Sequence, residues 1–120
     1  MFERFSGGNI MKHLLISLAV LLSGAAAQAQ DLFCNLKVNN DVITDTKVTT
    51  ILGKSVVFGE YGNYKVSVRD LGASKFFIEV YEINVSRTYA DGVLRTEDDE
   101  IKWTLWSREI LMETACRLAI

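Results

Sequence analysis

The most regular feature of the chain is an alternation. Leu32, Cys34, Leu36 and Val38 alternate with Phe33, Asn35, Lys37 and Asn39. Successive side chains of an extended backbone point to opposite faces, so a period of two predicts a half-buried strand. Asn39-Asn40-Asp41 then supplies turn chemistry. The next run, "VITDTKVTTIL", is rich in β-branched residues and sets Thr44, Thr46, Val48 and Thr50 on one side before Gly53 interrupts it. "KSVVFGEY" and "GNYKVSVRD" continue the pattern, with Tyr64, Val66 and Val68 in register, and Leu71-Gly72-Ala73 turns the chain again. Near the end Met112, Thr114, Cys116 and Leu118 share a face. Turn signals recurring every ~8–12 residues predict an all-β fold, a small antiparallel β-sandwich or barrel of about seven strands. "WSREILMETA" leaves one alternative open, a short helix in place of the last strand.

The longest patterned segment runs from Ser74 to Ser107 and contains Asp91-Gly92. Asp-Gly between alternating apolar positions is a strong two-residue hairpin signal. With these residues at the tip, Ile78 opposes Leu105 and Val80 opposes Trp103 on one face. On the other, Phe77 opposes Trp106, Glu79 opposes Thr104 and Tyr81 opposes Lys102. A slip of one residue would turn a whole strand over, so two apolar pairs falling opposite each other favour this register. The rival is a broad loop from Ser86 to Glu100.

The first thirty residues break the pattern. Met11-Lys12-His13 is a short basic start, "LLISLAVLL" is apolar apart from Ser17, and "SGAAAQAQ" is built of small residues. Together they predict a secretory signal peptide over residues 1–29, with Ala27-Gln28-Ala29 as an A-x-A site cut before Gln30. The apolar run is far shorter than the ~20 residues that span a bilayer. Glu3 is acidic where the leader should be basic, so Met11 is the expected true start. Residues 30–120 are then one small domain without a membrane span.

Export changes the meaning of the two cysteines. Disulfides persist outside the cytoplasm. Neither C-x-x-C spacing nor a further set of zinc ligands accompanies Cys34 and Cys116. The expectation is one structural bridge, Cys34–Cys116, which requires the first and last strands to be neighbours or to face each other across the core. Setting aside Glu3, Arg4 and Lys12 leaves 14 acidic and 11 basic side chains, a net charge of −3. That mildly acidic surface, without a basic patch, points away from nucleic acid.

Candidate chemistry is sparse. The only histidine, His13, lies in the predicted leader. The domain itself therefore lacks Ser-His-Asp and Cys-His machinery and the commonest ligand of catalytic zinc. Glu79 and Glu82 on a strand point to opposite faces, which does not suit an acid–base pair. Thr96–Glu100, "TEDDE", carries four carboxylates but not the order of a calcium loop, and reads as a solvated charge run. No catalytic, metal or cofactor site is expected. The remaining candidate is an aromatic patch with interspersed charge, Phe77, Tyr81 and Trp106 beside Glu79 and Lys102, of the kind that partner surfaces carry. The alternative is that these residues form another core face. "EYGNY" adds Tyr61 and Tyr64 around a Gly-Asn turn, with Tyr64 expected to pack inward. The expected function is that of a periplasmic or secreted, non-enzymatic binding or inhibitory module acting on an envelope or extracellular protein. The alternative is a structural or accessory subunit of a cell-envelope assembly.

Overall fold

A computed structural model describes residues 29–120. The expected leader up to Gln28, Ala27 included, lies outside the described residues. Ala29 and Gln30 open the first strand. Eight strands follow one another: β1 (Ala29–Val38), β2 (Asp41–Ile51), β3 (Ser55–Tyr61), β4 (Tyr64–Gly72), β5 (Lys75–Glu82), β6 (Ser86–Val93), β7 (Glu100–Trp106) and β8 (Leu111–Leu118). They form two four-stranded sheets, ordered β2-β1-β8-β7 and β3-β4-β5-β6, in which all neighbours are antiparallel. Among the described residues there is no helix, so the short C-terminal helix gives way to β8. The reason is the period-two face of Met112, Thr114 and Cys116, which is buried throughout.

Every pairing but one joins strands adjacent in sequence. The exception is β1 with β8, which brings the two ends of the domain together. The chain crosses between sheets twice, at β2–β3 and at β6–β7. Both crossings are tied to the β4–β5 hairpin: the Gly53 N–H donates to the Asp70 carbonyl (2.8 Å), and the Leu94 N–H donates to the Ser74 carbonyl (2.8 Å). One end of the molecule therefore holds both crossings.

The turns follow from local chemistry. Asn39 and Asn40 both have positive φ (51° and 71°) and connect β1 to β2 in two residues, the geometry of a type I′ turn. Gly62, at φ 56°, opens the two-residue β3–β4 turn. Ala73 and Ser74 (φ 55° and 63°) make the β4–β5 turn, a conformation that costs a residue with a Cβ about 1 kcal/mol.

The core lies between the sheets. Leu32, Cys34, Leu36, Ile101, Met112 and Cys116 come from one, and Val66, Val68, Phe76, Ile78 and Val80 from the other. Two buried hydroxyls are satisfied by main-chain carbonyls: Thr50 Oγ1 donates to Gln30 O (3.0 Å) and Thr114 Oγ1 to Asn35 O (2.7 Å). Cys34 and Cys116 sit directly opposite each other on β1 and β8, with Cα atoms 4.2 Å apart, and are bonded. The two strands are neighbours in one sheet, the first of the two arrangements the sequence allowed. A disulfide fits a location outside the cytoplasm. Among the described residues no helix is long and apolar enough to cross a membrane.

The long hairpin is a correction. Asp91-Gly92 is no turn: both residues lie inside β6, and the turn is Ile83-Asn84-Val85, with Asn84 at φ 63°. β5 pairs with β6, so Phe77 opposes Asp91 and Ile78 opposes Ala90. β7 pairs with β8 in the other sheet, so Trp103 opposes Thr114 and Trp106 opposes Leu111. The broad loop from Ser86 to Glu100 is overturned as well, since Ser86–Val93 is strand and only the segment between Val93 and Glu100 crosses over. Gly92 serves packing instead of a turn: a Cβ there would meet Ile101 Cγ1 at 3.0 Å. The glycine lets β6 approach the β7 side of the core. Gly59 does the same on the β3 side of the core, where a Cβ would meet Leu36 Cδ2 at 3.1 Å.

Candidate functional site

Alternation along β5 divides its residues cleanly. Phe76, Ile78 and Val80 are buried in the core, and Phe77, Glu79 and Tyr81 point away from it. β6 lies beside β5 with Arg87, Tyr89 and Asp91 on the same outer side, and β4 contributes Lys65, Ser67 and Arg69. The Phe77 and Tyr89 rings meet edge to face, centroids 5.3 Å apart. The Arg69 guanidinium lies 5.7 Å from the centre of the Phe77 ring, and that of Arg87 lies 4.2 Å from Tyr81. Such cation–π contacts hold the arginine stems flat against the rings while their charge stays in water. Arg87 also donates to Glu79 Oε2 (3.0 Å), and this carboxylate holds the guanidinium more firmly in its charged form. Leu71, Phe77, Tyr89 and Asp91 surround a shallow depression at one side of this face. Tyr89 itself is 57% exposed.

Three of the five candidate residues, Phe77, Glu79 and Tyr81, therefore share one outer face. They are not core. Trp106 and Lys102 do not join them. Both lie on β7, in the other sheet, whose outer side points away from the first across the full thickness of the core. Trp106 is 83% exposed, and Lys102 lies 3.6 Å from Glu100. The residues that the sequence reading missed are Tyr89, Arg87, Arg69 and Leu71. A signal for two of them was present: Arg87, Tyr89 and Asp91 have the parity of one strand face. Placing the turn at Asp91-Gly92 hid it.

The other motifs resolve into structure. Tyr64 is half-buried against the core, as expected. Burial first, and then the adjoining Glu82 carboxylate, push its phenol above the usual range. In "TEDDE" the Asp99 carboxylate accepts from the N–H groups of Arg95 (2.8 Å) and Thr96 (3.0 Å), and these bonds hold its carboxyl below the usual range. Its Oδ2 is occupied in shaping the β6–β7 crossing. Among the described residues no three His, Cys, Asp or Glu side chains come together as a metal site. A cleft of about 370 Å³ at the crossing end is lined by Leu52, Asp70, Gly72 and Phe76, and Asp70 Oδ1 there already accepts from the Gly72 N–H (2.8 Å). Comparison with known protein families, curated proteins and solved structures found no match.

Proposed function

We propose that the protein is an exported, non-enzymatic binding or inhibitory module that engages an envelope or extracellular protein through the outer face of the β3–β6 sheet. One observation carries this reading: Phe77, Tyr81 and Tyr89, with Arg69 and Arg87 lying on two of the rings, occupy a sheet face that no other part of the described chain covers. Aromatic residues and arginine are the types that dominate binding hot spots, and here stacking and the Arg87–Glu79 bond fix their positions before any partner arrives. The rigid two-sheet body and the bridge between its ends suit a scaffold that presents a surface. Trp106 forms a separate, smaller contact element on the opposite side. A structural or accessory role in an envelope assembly is the second reading, supported by the open edges of the two sheets.

The test is capture from envelope extract with tagged protein. Phe77→Ser with Tyr89→Ser abolishes capture while the thermal unfolding curve stays in place, because both rings lie outside the core. Capture that survives the double change, or that is lost with Trp106→Ala alone, overturns the assignment of this face.

A further inference from the structure

Strand β6 is the free edge of the second sheet. Its eight residues pair in uninterrupted register with β5 and with no other strand among the described residues. Such an edge presents a row of main-chain donors and acceptors, and proteins usually blunt it with a bulge or an isolated charge. β2 and β3 follow that rule, with the bulged residues Ile43 and Phe58 breaking their registers. β6 does not. Its outer column reads Arg87, Tyr89, Asp91, Val93, with Val85 just ahead of the strand. Val85, Tyr89 and Val93 are all exposed apolar side chains. Among the described residues Asp91 has no ion-pair partner.

We infer that β6 pairs antiparallel with β6 of a second copy of this chain, about a two-fold axis through Tyr89. In that register Arg87 of each copy faces Asp91 of the other, Tyr89 faces Tyr89, and Val93 faces Val85. Opposite charges and apolar residues then meet directly, the cross-strand pairs that stabilise a sheet. The neighbouring registers fail. An axis at Arg87 or at Asp91 opposes like charges. An axis at Thr88 or at Ala90 sets Arg87 against Tyr89 or Val93. β7, the other edge without a bulge, has no equivalent: no register pairs Lys102 with Glu100 while finding Trp106 an apolar partner. The contact is isologous, so it closes at two copies and joins two four-stranded sheets into one of eight strands. The interface is smaller than the ~1,200 Å² of stable complexes, so the association is weak, with a dissociation constant on the order of 0.1 mM. It stands independently of the partner proposed above, and would place two copies of the Phe77–Tyr81–Tyr89 face side by side.

Sedimentation equilibrium of the purified, disulfide-intact protein over a concentration series tests this. The wild-type mass rises toward that of a dimer. Asp91→Lys and Arg87→Glu each remain monomeric at tenfold higher concentration, because each sets like charges opposite each other. Their equimolar mixture regains a dimer of mixed composition by native mass spectrometry, since the two basic side chains of one variant then face the two acidic side chains of the other. A second variant does not depend on these charges: Tyr89→Cys, at the axis, is captured as a covalent dimer on mild oxidation, whereas Asp91→Cys, displaced from it, is not. A wild type that stays monomeric throughout, variants that dimerise as it does, a mixture that stays monomeric, or equal capture at positions 89 and 91 would each overturn the inference.

Discussion

Two lines of junction in the molecule differ in construction, one within a sheet and one between the two sheets. On one side β1 and β8 are joined in a full ladder from Leu32–Leu118 to Val38–Met112, with a covalent bond between Cys34 and Cys116 in its middle. On the other, β6 and β7 share no ladder. They are held by Gly92 lying close over Ile101, by the buried Leu94, and by a six-residue crossing that Asp99 folds on itself. The first line joins segments 82 positions apart in the chain, the second joins consecutive strands. Chain entropy explains the difference. Bringing distant segments together restricts the unfolded chain heavily, and a cross-link there removes much of that freedom in advance. Consecutive strands need only a short loop and good packing.

Breaking the covalent line has the largest expected effect. Cys34→Ala with Cys116→Ala lowers the unfolding free energy by about 4 kcal/mol, read as a fall in the denaturant midpoint. Reducing agent reproduces that loss in the wild type and leaves the double variant unchanged. A pair of substitutions whose midpoint does not move removes the bridge from the account of stability.

The packed line responds next. Gly92→Val places a side chain into the space of Ile101 and destabilises by about 1–3 kcal/mol. Ile101→Val in the same molecule recovers part of it, because the two sites share that space. Gly62→Ala serves as the contrast, since nothing lies within 4 Å of its added Cβ and only the positive φ opposes it. A full recovery of Gly62→Ala stability by Ile101→Val would show that packing is not what sets Gly92 apart.

The β4–β5 turn anchors both crossings, and Ala73 in it holds a left-handed conformation. Ala73→Gly or Ala73→Asn removes that strain and raises stability by about 0.5–1 kcal/mol, measured by equilibrium unfolding. The smallest effect is at the crossing itself. The folded-state pKa of Asp99 is depressed by the Arg95 and Thr96 N–H groups, so its contribution is present above the unfolded carboxyl pKa and is lost as pH falls through the lower folded one. The wild type therefore loses slightly more stability than Asp99→Asn between neutral pH and the acid range below about pH 4. Identical acid limbs in the two unfolding profiles would leave Asp99 without that role.

Much of the fold is legible in the chain. The alternation in β1 names its buried residues one by one, and Tyr64, Val66 and Val68 turn inward as their parity requires. Asn39-Asn40 makes the turn its chemistry suits. The aromatic site is legible only in part, because Phe77, Glu79 and Tyr81 share a strand, whereas Trp106 and Lys102 were joined to them through a hairpin that does not form. Asp-Gly is a turn signal because glycine tolerates positive φ. Gly92 is present for another property of the same residue, its lack of a Cβ beside Ile101. Local sequence does not distinguish the two uses.

The chain by itself determined the strand class, the inward face of most strands and the pairing of its two cysteines, because side-chain period and a single available partner are properties of order along the chain. Only the tertiary structure decided where the sheets part, that β6 turns away from β7, and that the Phe77 face and Trp106 lie on opposite sides. Those outcomes depend on which close approach between distant backbones lacks a colliding atom, and no window of neighbouring residues contains that information.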